Sequence, residues 1–317
     1  MSPSPPLLGR VRPEIPVGLA LTLIALAFFW PLIAPSGAVD PADMTLVGPG
    51  GELAAGALEN SSALAYDSLW VDVDPAPVAL ARGAASRSLE MLARAERAAE
   101  ESGDTGLSSR VLAVVRAYRH AAMAADSSAR AASILDAVRP GVWRAVGNLT
   151  SGDVQAALGE WSRVAADVRR AREMVGEALL NLSSVDDSAL LSPSHVEVLN
   201  ESRGRLEALA RELDVILALF SLVERNPEAA QRALAAAAAA RDGGLSPEEA
   251  LEILSSPGVQ EFVTGVSSLS PGDAGRFGGQ LAQLRALVEA LSGAAQGGQP
   301  QGPGQGSGAG RGERPND

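Results

Sequence analysis

The chain contains neither cysteine nor lysine. The first absence excludes disulfides, thiolate metal sites and a cysteine nucleophile. The second excludes lysine Schiff bases and any phosphate-cradling loop that ends in lysine. All 26 basic residues are therefore Arg. There are two histidines, His120 and His195, and neither has a His or carboxylate partner at ligand spacing. No G-x-S-x-G elbow occurs. Aromatics make up only 3% of the chain, so its core must be built from Ala, Leu and Val. Cores of that kind let helices approach closely and leave little room for a pocket. The expectation is a non-enzymatic protein without cofactor or metal.

Two acidic pairs were weighed against that expectation. Asp72 and Asp74 begin a pattern that could enter a calcium loop, but Ala76 stands at the next ligand position and no Glu closes the loop. They read as a solvated extended segment. Asp186-Asp187 read as a solvated turn. Net charge is −12; residues 1–38 hold Arg10 and Arg12 against Glu14, which leaves −13 on the remainder. That balance argues against nucleic acid and anionic membrane surfaces as partners.

What the chain does have is one long apolar run. Val17 to Ala34 is eighteen residues without a charge. As a helix it would cover roughly 27 Å, close to the hydrocarbon thickness of a bilayer. Arg10 and Arg12 precede it, and the next Arg is Arg82. This asymmetry predicts a cytoplasmic N-terminus and an extracytoplasmic body. Phe28, Phe29 and Trp30 fall near the outer end, where an aromatic belt belongs. Ser36-Gly37-Ala38 supports a second reading, a signal peptide cleaved after Ala38 with a secreted product. Four of six asparagines, Asn60, Asn148, Asn181 and Asn200, begin N-x-S/T sequons, where about 0.7 would arise by chance. The enrichment fits a glycosylated surface protein.

The order of segments predicts an all-α protein: a cytoplasmic end at 1–14, a membrane helix or signal at 15–35, and an irregular linker at 36–76. An extracytoplasmic helical domain at 77–292 and a disordered Gly/Gln/Pro-rich tail at 293–317 follow. In the linker, Leu69 to Pro75 reads as a short strand or an extended docking segment. Within the domain, Arg139-Pro140-Gly141 predicts a helix stop. The clearest pattern spans 153–224. Ala157, Trp161, Val164, Val168, Ala171, Val175, Ala178 and Leu182 are spaced alternately by four and three. Ser202, Leu206, Leu209, Leu213, Ile216, Phe220 and Val223 repeat the spacing. Two such stripes, one capped by Ser151 or Asp153 and the other by a Ser194/Glu197 box, predict a long antiparallel hairpin in an elongated bundle. The seam residues Trp161, Val164, Val168, Val175, Leu206, Leu213 and Phe220 would supply packing within the chain or between chains. The expectation for function is a single-pass, membrane-anchored surface protein with a structural or protein-interaction role. The alternative is an accessory or ligand-binding subunit of a membrane transport or secretion complex.

Overall fold

The computed structural model describes residues 41–101 and 105–297. By compactness the chain divides into two units, 1–42 and 43–317. The helices below lie in the second, apart from the first two residues of the first helix. The apolar run at 15–35, the N-terminal segment before it and residues 298–317 lie outside the described residues. Among the described residues no helix is long and apolar enough to cross a membrane.

The described chain is all-helical: α1 (Pro41–Ser68), α2 (Pro75–Glu101), α3 (Thr105–Thr150), α4 (Val154–Ser183), α5 (Pro193–Arg225), α6 (Pro227–Arg241), α7 (Pro247–Ser255), α8 (Pro257–Ser268) and α9 (Gly278–Gln296). Short 3-10 turns at Asp187–Ala189 and Gly275–Phe277 precede α5 and α9.

The largest departure from expectation is α1. Residues 41–68 are helix, not linker, although Pro49 lies inside and glycines punctuate the first half. Proline costs one backbone bond there and glycine lowers intrinsic propensity. Packing overrides both. A Cβ on Gly50 would stand 3.1 Å from Leu92 of α2, and one on Gly51 would stand 2.9 Å from the Tyr118 ring of α3. These glycines let neighbouring helices approach α1 closely, and they are not breakers. Ala54, Ala57, Leu58, Ser61, Ser62 and Ala65 are buried. The helix is therefore enclosed by α2, α3 and α5 and lacks a single amphipathic face.

α2 and α3 run antiparallel, tied by Glu96–Arg119 and Arg82–Asp126. α3 and α4 run antiparallel, with Arg144 on Glu160 and Ser127 on Glu177. The helix stop expected at Arg139-Pro140-Gly141 does not occur, and α3 runs through it for 46 residues. Gly141 is needed there because a Cβ would meet Val164 of α4 at 2.6 Å. Close packing on α4 compensates for the one bond that Pro140 removes. Between α1 and α2, residues 69–75 form no strand. The chain leaves α1 in a turn, with the Trp70 and Val71 N–H groups on the Asp67 carbonyl, and is docked on α3 through Val73 N–H to Asp136 Oδ1 (3.2 Å) and Trp143 Nε1 to the Leu69 carbonyl (2.8 Å).

α4 and α5 form an antiparallel hairpin. Asp153 caps α4, accepting from the Ala156 N–H. The α5 cap is Ser192, not Ser194, because Pro193 takes the first helical position and moves the cap one residue earlier. All fifteen stripe positions named above are buried. Trp161 stacks on Phe220 at 4.2 Å with rings 9° apart, and Arg172 grips Asp214 by two bonds of 2.8 and 2.9 Å. α4 packs more extensively on α3 than on α5, so the hairpin is one side of a larger bundle. Asn226 ends α5 and caps α6, and Ser246 with Glu249 forms a reciprocal capping box at α7. α9 continues through Gly293 to Gln296, so the helical part reaches beyond the expected limit of 292.

Candidate functional site

Among the described residues, buried polar side chains concentrate along α1 and α5. Two contacts bridge the two helices and a third follows from the turn just after α1, at nearly constant offset: Glu52 with His195 (3.3 Å), Ser62 with Ser202 (3.0 Å) and Trp70 with Glu212 (3.0 Å). The constant offset makes the pair parallel. Ala- and Ser-rich seams carry little shape, and neighbouring registers would bury similar areas. A slip of one turn would separate all three pairs and strand buried polar atoms. The ties therefore specify where α1 sits.

The first cluster centres on Tyr118, which is 1% exposed. Its hydroxyl accepts the Leu191 N–H (2.9 Å) and meets His195 Nδ1 at 2.6 Å. His195 is buried and edge-on to the ring. Burial pushes the phenol up to about 12, assisted by the Glu52 charge and opposed by the Leu191 bond. A phenol so placed is a poor nucleophile and a poor base near neutrality. Tyr118 is hydrogen-bonded to His195 and to the Leu191 amide, and Glu52 lies beside His195 Nε2 at 3.3 Å, so the cluster joins α1, α3, α5 and the 184–192 connection.

The second cluster lies toward the C-terminal ends of α1 and α5. Glu212 is fully buried. One carboxylate oxygen accepts Trp70 Nε1 and the other accepts the Arg276 N–H at 2.9 Å. Burial raises its affinity for a proton, opposed by those two bonds and the Arg276 charge. Gly275 adopts φ +49 beside it, where any Cβ would collide with Glu212. Arg276 reaches back to Asp67 (2.8 Å) and lies over the Tyr66 ring at 4.2 Å. Trp70 and Trp143 pack at 4.9 Å. The cluster fastens the segment before α9 to the five-helix body.

The sequon asparagines all lie on helices. Asn60 and Asn200 are exposed, and Asn148 and Asn181 are half-buried. Ser62 and Ser202, the hydroxyl positions of two sequons, are fully buried and bonded to each other. The Asn181 amide donates to the Glu177 carbonyl (3.0 Å), and its oxygen faces His120 Nδ1 at 3.3 Å. The seam residues Trp161, Val164, Val168, Val175, Leu206, Leu213 and Phe220 are core. The Trp161 indole N–H has no hydrogen-bond partner among the described residues.

Asp72 pairs with Arg139 (2.7 Å) and Asp74 caps the Ala76 N–H (2.9 Å). No group of three or more His, Asp or Glu is placed to hold a metal among the described residues. A cavity of about 190 Å³ opens beside this segment, lined by Val73, Val78, Ala79, Arg82, Ser133 and Asp136. Of the two polar clusters, the sequence pattern named no member as functional. His195, Glu52 and Tyr118 are separated by many residues, and their partnership depends on a helix the sequence did not announce. Compared with known proteins, the chain matches no family model, no curated protein and no solved structure.

Proposed function

We propose that the protein is a single-pass, membrane-anchored cell-surface protein whose helical bundle has a structural or protein-interaction role. The observation that carries this reading is the uncharged run Val17–Ala34, with Arg10 and Arg12 before it and no further Arg until Arg82. A bundle whose apolar stripes are spent on internal packing suits a presenting or bridging role. Among the described residues, the exposed large apolar side chains Val71, Leu80, Met123, Leu180 and Leu251 are available to partners. Asn60, Asn148, Asn181 and Asn200 are the glycan acceptors under this reading.

The experiment is expression of the full chain followed by alkaline carbonate extraction and protease treatment of intact cells. The expected result is retention in the membrane pellet with the helical body digested from outside. Recovery of the intact chain in the soluble cell extract would refute the reading. Mass spectrometry of the same material would identify the N-terminus and any glycan at the four asparagines.

A further inference from the structure

We propose that folding closes two of the four sequons: Asn60 and Asn200 accept a glycan only before α1 docks on α5, and lose that capacity once Ser62 meets Ser202. This rests on the exported, glycosylated reading given above.

A sequon needs more than its asparagine. The residue two positions on must be Ser or Thr, so the transferring enzyme has to reach that hydroxyl as well as the amide. Asn60 and Asn200 are exposed, but their sequon hydroxyls are not. Ser62 and Ser202 are 0% exposed and bonded to each other at 3.0 Å across the α1–α5 seam. Ser62 Oγ also lies 3.1 Å from the Glu59 carbonyl, and the Asn60 amide donates to the Gly56 carbonyl at 2.7 Å. Reaching either hydroxyl requires α1 and α5 to part, so one contact closes both sites. Asn148 and Asn181 differ. Their sequons end in Thr150 and Ser183, the last residues of α3 and α4. Thr150 is half-buried and Ser183 exposed, and each hydroxyl donates to a carbonyl of its own helix, Gly147 (2.9 Å) and Leu180 (2.7 Å). Fraying of a last turn frees those hydroxyls without separating helices.

The order of events is one-way. Successive residues of a helix are about 100° apart, so a side chain two positions before the seam serine points roughly to the opposite side. Asn60 and Asn200 therefore face solvent when Ser62 and Ser202 face each other. A glycan attached earlier leaves the seam free to close, whereas the closed seam denies the enzyme its hydroxyl. Ser62 precedes its partner by 140 residues, so α1 stays open until most of the bundle has been made. In the transfer the Asn amide nitrogen bonds to the anomeric carbon of a lipid-phosphate-linked oligosaccharide. The bond from that carbon to the phosphate oxygen breaks, the phosphate leaves with the electron pair, and the amide proton passes to water.

The test uses purified full-length chain in detergent, shown to be folded by circular dichroism. It is incubated with solubilised oligosaccharyltransferase and a lipid-phosphate-linked oligosaccharide, and mass spectrometry follows the initial rate at each asparagine. Ala54→Asp on α1 and Leu206→Asp on α5 each place an unpaired charge at a fully buried position. Both hydroxyls become accessible whether such a variant releases α1 alone or unfolds the whole chain. Asn60 and Asn200 should be modified at least about tenfold faster in the variants than in the folded wild type, with a smaller change at Asn148 and Asn181. Equal rates at Asn60 and Asn200 in wild type and both variants would overturn the proposal. So would equal acceleration at all four sites, or no transfer to Asn60 and Asn200 in the variants. Carbonate extraction, which tests membrane anchoring, does not enter this assay, so the two readings fail separately.

Discussion

Replacing Glu212 by glutamine tests the polar tie that joins three separate parts of the chain. The carboxylate accepts Trp70 Nε1 from the end of α1 and the Arg276 N–H from the turn before α9, one on each oxygen. A carboxamide keeps the volume but offers one oxygen. Its NH₂ must face one of the two donors, leaving a buried N–H opposed by another N–H. An unsatisfied buried donor costs about 1–3 kcal/mol, and Glu212→Gln should cost that much at neutral pH. Glu212→Ala strands both donors and opens a cavity, so about 3–5 kcal/mol is expected. Protonation gives an independent sign. Burial makes the folded state bind the Glu212 proton more tightly than the unfolded chain does. This group's contribution is then fullest below the ordinary carboxylate value of about 4.3 and declines as pH rises through the higher folded value. The wild type should gain on Glu212→Gln as pH falls from neutral toward the ordinary carboxylate value. Denaturant unfolding followed by circular dichroism and by Trp fluorescence measures both effects. The reasoning fails if Glu212→Gln lies within about 0.5 kcal/mol of wild type, or if the gap between them shrinks on acidification.

Three further outcomes follow from single positions. Gly51→Ala forces a methyl against the Tyr118 ring and should cost about 1–3 kcal/mol, whereas Gly56→Ala on the same helix meets nothing within 4 Å and should stabilise by about 0.5–1 kcal/mol in the same unfolding assay. Tyr118 should ionise only near pH 12 in an ultraviolet absorbance titration. Because the folded state keeps this proton while the unfolded chain loses it near 10, stability should fall as pH rises between about 10 and 12, and Tyr118→Phe should lack that limb. Trp161→Phe keeps an aromatic ring against Phe220 and removes a buried N–H without a partner, so its cost should stay below about 1.5 kcal/mol. Trp161→Ala should cost about 3–5 kcal/mol by thermal or denaturant unfolding.

How legible each part was depends on how it is enclosed. α4 has one buried face, and α5 keeps an unbroken apolar stripe beside a second buried row at Glu212, Val215 and Leu219, so the stripes recur at helical spacing and the hairpin could be read from the sequence. α1 is enclosed by α2, α3 and α5. Its buried set includes Gly50, Gly51, Ala54, Ser61 and Ser62, residues that alone suggest a loop. Close approach needs small side chains, and glycine and serine carry weak helix propensity, so the tightest packing was the least visible. Gly141 misled in the same way, since Val164 requires it inside α3. Spacing in the sequence predicts outer-face i,i+4 pairs at Arg163–Asp167, Arg169–Glu173, Glu201–Arg205 and Glu207–Arg211, and these were only partly realised. Glu201–Arg205 forms, but Arg163 turns to Glu160 and Arg169 reaches across to Glu224 of α5. Local spacing permits several pairings, and the neighbouring helix chooses among them. The polar clusters were hidden for a further reason: each joins residues from elements far apart in sequence, and without α1 neither can be assembled.

The central structural claim is that residues 41–68 are an enclosed helix held in register by Glu52–His195, Ser62–Ser202 and Trp70–Glu212. Native-state hydrogen exchange on the amides of residues 54–65 tests it most directly. If the claim holds, these amides exchange only with global unfolding, alongside the core of α3, and their opening free energy falls with denaturant at the global slope. If they exchange at rates typical of an unstructured linker while α3 stays protected, α1 is not part of the bundle and the account of both polar clusters fails with it.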